Sequence, residues 1–160
     1  MSINIGDKIP DVEIKTMGPE GAPTSVRTGD ALGQGKVVLF AVPGAFTPGC
    51  SRVHLPGFVS QAEELRAKGV DTIACVSVND AWVMEAWANS QDVGDKIVML
   101  ADGSGEFTKA MGLELDGSAF GLGARSKRYA AIIDNGVVTT LDIDDSGISA
   151  SSCDAVLGKL

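Results

Sequence analysis

The chain has 160 residues, 44% of them hydrophobic, and a formal net charge of −8. That length supports one sizeable core and is short for two ordinary domains, so residues 1–160 read as one domain. The acidic balance, broken only by the basic run Arg125-Ser126-Lys127-Arg128, gives a polyanion nothing to bind and speaks against a nucleic-acid partner.

At the start, Gly6 and Pro10 fall where a secretory leader would carry its apolar run, and the apolar stretch 37–42 is too short to cross a bilayer. The expected setting is cytoplasmic, without a membrane partner; an organelle protein whose transit peptide has been removed would look the same. Strands are expected over residues 36–42, 70–78, 96–100 and 128–133, each short, β-branched and almost wholly apolar, the pattern of strands covered on both faces. Leu55, Phe58, Val59, Ala62 and Leu65 follow helical spacing. Residues 80–91 predict a helix capped by Asn79 or Asp80, and residues 104–112 one that runs from a Ser104 cap to a Gly112 stop. Asn135-Gly136 between apolar runs signals a hairpin. Ser151 and Asp154 stand in capping-box spacing and open a C-terminal helix. Alternating β and α segments followed by a hairpin and a helix give an α/β chain with a central mixed sheet flanked by helices.

Residues 41–58, AVPGAFTPGCSRVHLPGF, place three prolines and three glycines around Cys50, at the junction of a strand and a helix. Thr47 suits the N-cap and Pro48 the first helical position, which puts Cys50 at the third, where the Thr47 hydroxyl is expected to meet its amide. Pro56 should remove a hydrogen bond from that helix and kink it. An ordinary thiol titrates at about 8.5, and lowering that by about 2.5 units takes roughly 3.4 kcal/mol, whereas a helix end supplies at best about 2 kcal/mol. A reactive Cys50 therefore needs a cation as well. Arg52, His54, Arg125 and Arg128 are the candidates; spacing does not choose among the arginines, and His54 shares a helix face with Cys50 at i+4. The plainer readings are an inert buried Cys50, a hydrogen-bonded helix histidine and a solvated strand entrance at Arg125 to Arg128. The three cysteines, Cys50, Cys75 and Cys153, are far apart and odd in number, and there is a single histidine, so neither a disulfide framework nor a metal site is expected.

The stretch beginning at Pro43 resembles the signature P-x-x-x-T-x-x-C of the peroxiredoxins, in particular their type II, or peroxiredoxin-5-like, group. The resemblance continues through VSVNDAWVMEAW (76–87), LADGSGEFTKAMGLELD (100–116) and GLGARSKRYAAIIDNGVV (121–138), nearly the whole chain. It implies a thioredoxin-like fold with an N-terminal extension, a homodimer, and a thiol peroxidase acting on hydrogen peroxide and organic hydroperoxides without cofactor or metal. By resemblance, Cys50 is the peroxidatic cysteine, Thr47 aligns peroxide and thiolate, Pro43 shields the thiolate, and Arg125 is the catalytic arginine. Phe46, Gly49, His54, Trp87, Phe120 and Arg128 surround the site as pocket wall or outer support, although both tryptophans also suit core or subunit packing. The sulfenic acid on Cys50 would be reduced by an external thiol, glutathione with glutaredoxin or else thioredoxin. The alternative is a resolving cysteine, with Cys153 in the first turn of the last helix as candidate and Cys75 more naturally a buried strand residue. A Cys50–His54 hydrolase and a non-enzymatic peroxide-sensing module are the rival classes.

Overall fold

The computed structural model describes residues 2–160. In chain order it contains β1 (Glu13–Met17), β2 (Pro23–Arg27), α1 (Thr28–Leu32), β3 (Lys36–Ala41), a π-helical turn (Cys50–His54), α2 (Leu55–Ser60), α3 (Ala62–Ala67), β4 (Thr72–Ser77), α4 (Ala81–Ser90) and β5 (Val98–Ala101). There follow α5 (Glu106–Met111), β6 (Glu114–Asp116), a 3-10 turn (Ser118–Phe120), β7 (Ala124–Ser126), β8 (Arg128–Asp134), β9 (Val137–Asp144) and α6 (Cys153–Leu157). Seven strands form one sheet in the order β2-β1-β5-β4-β3-β8-β9.

β3 and β4 pair in parallel, whereas β8 runs antiparallel to β3 and β9 antiparallel to β8. With α2 and α3 between the first two strands and α6 after the last, this is the thioredoxin-like arrangement expected. The β1–β2 hairpin reaches the far edge of the sheet through β1 against β5 and forms the N-terminal extension. Strand alternation splits the interior into two layers. Val38, Phe40 and Val42 face a layer with Cys50, Phe58, Cys75, Trp87 and Cys153, while Val37, Leu39 and Ala41 face Leu32, Phe107, Met111 and Tyr129. Residues 37–42 are apolar throughout because both faces of their strand are covered.

The four expected strands and the hairpin are present, with Asn135 and Gly136 at φ 48° and 85°, the left-handed pair that a tight hairpin turn requires. One helix boundary and two caps differ from expectation. The helix read across residues 55–65 is two helices, broken at Gln61 (φ −110°, ψ 15°). Of the two caps expected for α4, Asp80 is the one used, accepting from the Val83 amide at 2.8 Å. Asp102, not Ser104, holds the start of α5, its oxygens accepting from the amides of Phe107 and Thr108 and from the Thr108 hydroxyl. Ser152, one residue past Ser151, caps α6 through the Ala155 amide. In each case a longer reach or a one-residue slip satisfies the same unpaired amides.

Candidate active site

Cys50 lies where β3 hands the chain to its helix, at the end of the sheet where β8 begins. The pairing of Ala41 with Tyr129 brings Arg128, the first residue of β8, beside that junction. The helix starts as expected: Pro48 and Gly49 are helical, and the Ser51 amide donates to the Thr47 carbonyl at 2.9 Å. The Thr47 hydroxyl does not meet the Cys50 amide. It turns back and donates to the Gly44 carbonyl at 2.6 Å, closing a short turn over residues 44–47.

Pro56 acts through register. From Cys50 to His54 the winding is π-helical, with the Leu55 amide donating to the Cys50 carbonyl. In that i to i+5 register the missing N–H of Pro56 falls on the Ser51 carbonyl, and Gln91 Nε2 donates there at 3.0 Å instead. Trp87 is fully buried, and its Nε1 donates to Ser51 Oγ at 2.9 Å. The residue next to Cys50 is thus gripped twice from the α4 side. Asn79, set aside as a cap, accepts from the Ala45 amide at 3.0 Å and ties the site loop to the turn after β4.

The Cys50 sulfur is buried, and the cation on it is Arg128, whose Nη2 donates to Sγ at 3.2 Å. Its Nη1 donates to His54 Nδ1 at 2.8 Å, so Cys50 and His54 meet one guanidinium. Arginine has no acceptor, so Nδ1 carries the lone pair and His54 Nε2–H donates to the Ser151 carbonyl at 2.9 Å. His54 is buried against Phe40 and Phe58, with ring centroids 5.1 and 5.7 Å away. Burial, with the Arg128 charge, lowers its pKa from 6.5 to about 4 despite the Ser151 bond, so the imidazole is neutral near pH 7.

Arg125 stands one layer out, Nε donating to the Leu122 carbonyl at 3.0 Å and Nη1 to that of Pro43 at 3.4 Å. Thr47 and Arg125 flank Gly44: a Cβ there would sit 3.0 Å from Thr47 Cγ2 and 3.2 Å from Arg125 Nη1. At Gly49 a Cβ would come within 3.5 Å of Arg128 Nη2. A cavity of about 380 Å³ opens here, with Pro43, Gly49, Lys127, Arg128 and Ile148 among its walls; the slightly larger one beside Trp82 is lined by none of the expected site residues. Arg52 is exposed, and the side-chain donor on the sulfur is Arg128. Phe46, at φ 65°, and Phe120 are 54% and 86% exposed rather than closing a wall over Cys50.

The other thiols are buried. Cys75, on β4 opposite Phe40, has its pKa raised by burial and then by neighbouring Cys50, with Arg128 opposing. Cys153 begins α6, yet burial and then the charges of Asp154 and Glu64 push it up to about 12. A five-residue helix end does not activate it. Ser51, Gln91, Asn79, Ser151 and Asp144 belong to the site's support and were not legible as such. Only Asp144 carried a signal, an acidic residue at a strand end before the Ser- and Gly-rich run 145–152.

Among the described residues no group of three or more His, Cys, Asp or Glu side chains could hold a metal, and no helix is long and apolar enough to cross a membrane.

The Redoxin family model matches residues 4–157. Peroxiredoxin-2E, chloroplastic, of Arabidopsis thaliana is 50% identical over 154 residues, covering 94% of this chain and 66% of the relative. The structure of reduced Prx3 in complex with hydrogen peroxide from Vibrio vulnificus superposes with a TM-score of 0.91 at 48% identity, covering 99% of each chain. Peroxiredoxin 5 from Alvinella pompejana gives a TM-score of 0.84 at 39% identity, covering 97% of this chain and 96% of that one. With a thioredoxin-like core, a cysteine at the start of the helix that follows β3 and an arginine on the sulfur, the chain belongs to the peroxiredoxins, thiol-dependent peroxidases, in their type II or peroxiredoxin-5-like group.

Proposed function

We propose that Cys50 is the peroxidatic nucleophile, that hydrogen peroxide and organic hydroperoxides are its substrates, and that an external thiol regenerates it. The observation that carries this is the hydrogen bond from Arg128 to Cys50 Sγ at a helix start, beside two other cysteines whose thiols are held protonated by burial. The Vibrio protein was crystallised with hydrogen peroxide, which supports that substrate.

In the proposed reaction the Cys50 thiolate attacks one peroxide oxygen, the O–O bond breaks, and the departing oxygen takes a proton to leave as water or an alcohol. Cys50 becomes a sulfenic acid. Negative charge grows on the departing oxygen, so fixed donors serve the transition state without reorganising. Thr47 and Arg125, held on either side of Gly44, are read as the groups that align the peroxide and meet that charge, while Arg128 steadies the thiolate. Pro43 covers the sulfur, Gly49 leaves room beside Arg128, and His54 and Trp87 act through the contacts described. Phe46 and Phe120, with Trp82 at 59% exposure, fit the expected homodimer contact better than the pocket wall. A glutathione thiolate, supplied with glutaredoxin, then displaces water from the sulfenic acid to form a mixed disulfide, and a second thiol releases Cys50; thioredoxin is the alternative donor. We read residues 1–160 as one domain and the cytoplasm as its setting, with an organelle as the alternative, since the Arabidopsis relative is chloroplastic.

The test is peroxide consumption with each reductant system. Cys50→Ser is expected to abolish turnover with the fold intact, while Cys75→Ser and Cys153→Ser retain most of it. Peroxide added in stoichiometric amount without reductant should leave no internal disulfide by non-reducing peptide mass spectrometry. A Cys50–Cys153 peptide, together with lost turnover in Cys153→Ser, would make Cys153 the resolving residue.

A further inference from the structure

Asp144 ends β9 and is the Cα partner of Arg128 across the β8–β9 pair. A carboxylate opposite an arginine ordinarily bonds to it, but among the described residues no carboxylate pairs with the Arg128 guanidinium. The Asp144 oxygens point instead into the loop that follows. They accept from the amides of Ser149 (3.0 Å), Ala150 (3.1 Å) and Ser151 (2.8 Å), and from the hydroxyls of Ser149 (3.0 Å) and Ser151 (2.7 Å). Five donors on one carboxylate make a stiff loop. Although partial burial works against it, these bonds hold the Asp144 carboxyl well below the usual range.

The loop meets the site in two ways: Ile148 lines the cavity beside Arg128, and Ser151 makes the loop's hydrogen bond to His54. With its amide and hydroxyl fixed on Asp144, Ser151 presents its carbonyl to His54 Nε2 at 2.9 Å. That bond selects the tautomer whose Nδ1 accepts from Arg128 Nη1. Because the guanidinium is planar, fixing Nη1 also fixes where Nη2 points, and it points at Cys50 Sγ. Drawing the Asp144 charge into the loop also leaves the guanidinium without a competing anion. The supports of a reactive centre act in this way, by fixing orientation from one shell further out.

We propose that Asp144 is a positioning residue for the Cys50 thiolate, building the loop whose Ser151 carbonyl orients His54 and, through it, Arg128. This rests on the reading of Cys50 as the nucleophile. The experiment is a double-mutant cycle of Asp144→Asn with His54→Phe, a substitution that refills the aromatic pocket and cuts both imidazole hydrogen bonds. The readouts are the second-order rate with hydrogen peroxide and the pH profile of Cys50 alkylation by iodoacetamide, with thermal melting alongside.

Alone, Asp144→Asn is expected to slow the peroxide reaction about tenfold, the size of one hydrogen bond to a charged group, and to move the alkylation profile to higher pH. In the His54→Phe background the same substitution should change the rate less than about twofold, because the link is already cut. An unchanged rate in the single variant, or an equal loss in both backgrounds, overturns the proposal. If Asp144→Asn does not fold, Ser151→Ala decides: it removes one bond to Asp144, and a smaller loss that vanishes in the His54→Phe background supports the relay, whereas no loss overturns it. Turnover by Cys50→Ser would instead refute the reading of the nucleophile and leave the alkylation profile as the test of the relay.

Discussion

The chain's single histidine makes one pH prediction unusually clean. His54 has its pKa lowered from 6.5 to about 4 in the folded protein, first by burial between Phe40 and Phe58. The unfolded chain therefore binds a proton that the folded chain refuses, and stability must fall as pH drops through about 6.5 towards about 4, then level off. From these two values the loss comes to about 2 kcal/mol between about pH 7 and about pH 5, out of roughly 3 kcal/mol in all. Asp144, Asp11 and Asp116 shift the other way, to lower pKa, so their contributions are present above the ordinary carboxylate value and are lost only as pH falls below about 4. They stay out of the window. Urea unfolding of Cys50→Ser, which cannot oxidise at that position, should show a midpoint lower by roughly 1 M at the acid end, taking m as about 2 kcal/mol/M. In the added presence of His54→Gln, whose amide can replace both imidazole hydrogen bonds, the slope should disappear. A flat profile in the parent, or an equal fall in the glutamine variant, would refute a buried neutral imidazole at this position.

Arg125→Ala is expected to slow the reaction with hydrogen peroxide by at least about a hundredfold, the loss of one charged transition-state donor. His54→Ala should cost about tenfold or less, and stopped-flow fluorescence would show the reverse order if His54 served as a base in hydrolase fashion. Gln91→Ala leaves the Ser51 carbonyl without the donor that Pro56 cannot supply, and should lower stability by about 1 to 2 kcal/mol in urea unfolding with the active-site motif untouched.

The elements of the fold that could be read from the sequence are those whose cause is local. Residues 37–42 are an uninterrupted apolar run, residues 70–78 are short, β-branched and mostly apolar, and Asn135-Gly136 has its own backbone preference, so each declares its conformation without help from afar. Caps were legible only in kind. Asp102 reaches past Gly103, Ser104 and Gly105 to the start of α5, and a rule that looks one residue before a helix cannot see it. The π-helical turn was half visible: Pro56 announced that a hydrogen bond would be lost, but not that the winding would widen at Cys50 and pass the deficit to Ser51.

At the site the same division separates Cys50 from its neighbours. A thiol at a helix start follows from residues 47–50 alone, and the energy gap between a helix end and a useful thiolate showed that a cation was needed. Which cation meets the sulfur is set by contacts between residues 78 apart for Arg128 and Cys50, 74 apart for Arg128 and His54, and 97 apart for His54 and Ser151. No periodicity links such positions; sheet order does, because β8 lies against β3 and β9 carries the chain back to the loop ending at Ser151. Resemblance pointed to Arg125 for the chemistry, and the geometry gives the ground-state sulfur to Arg128. The two assignments are compatible if one arginine stabilises the thiolate before attack and the other meets the charge that appears during it, a division that predicts different symptoms. Loss of Arg128 should move the alkylation profile of Cys50 to higher pH, whereas loss of Arg125 should slow peroxide reduction while leaving alkylation nearly unchanged.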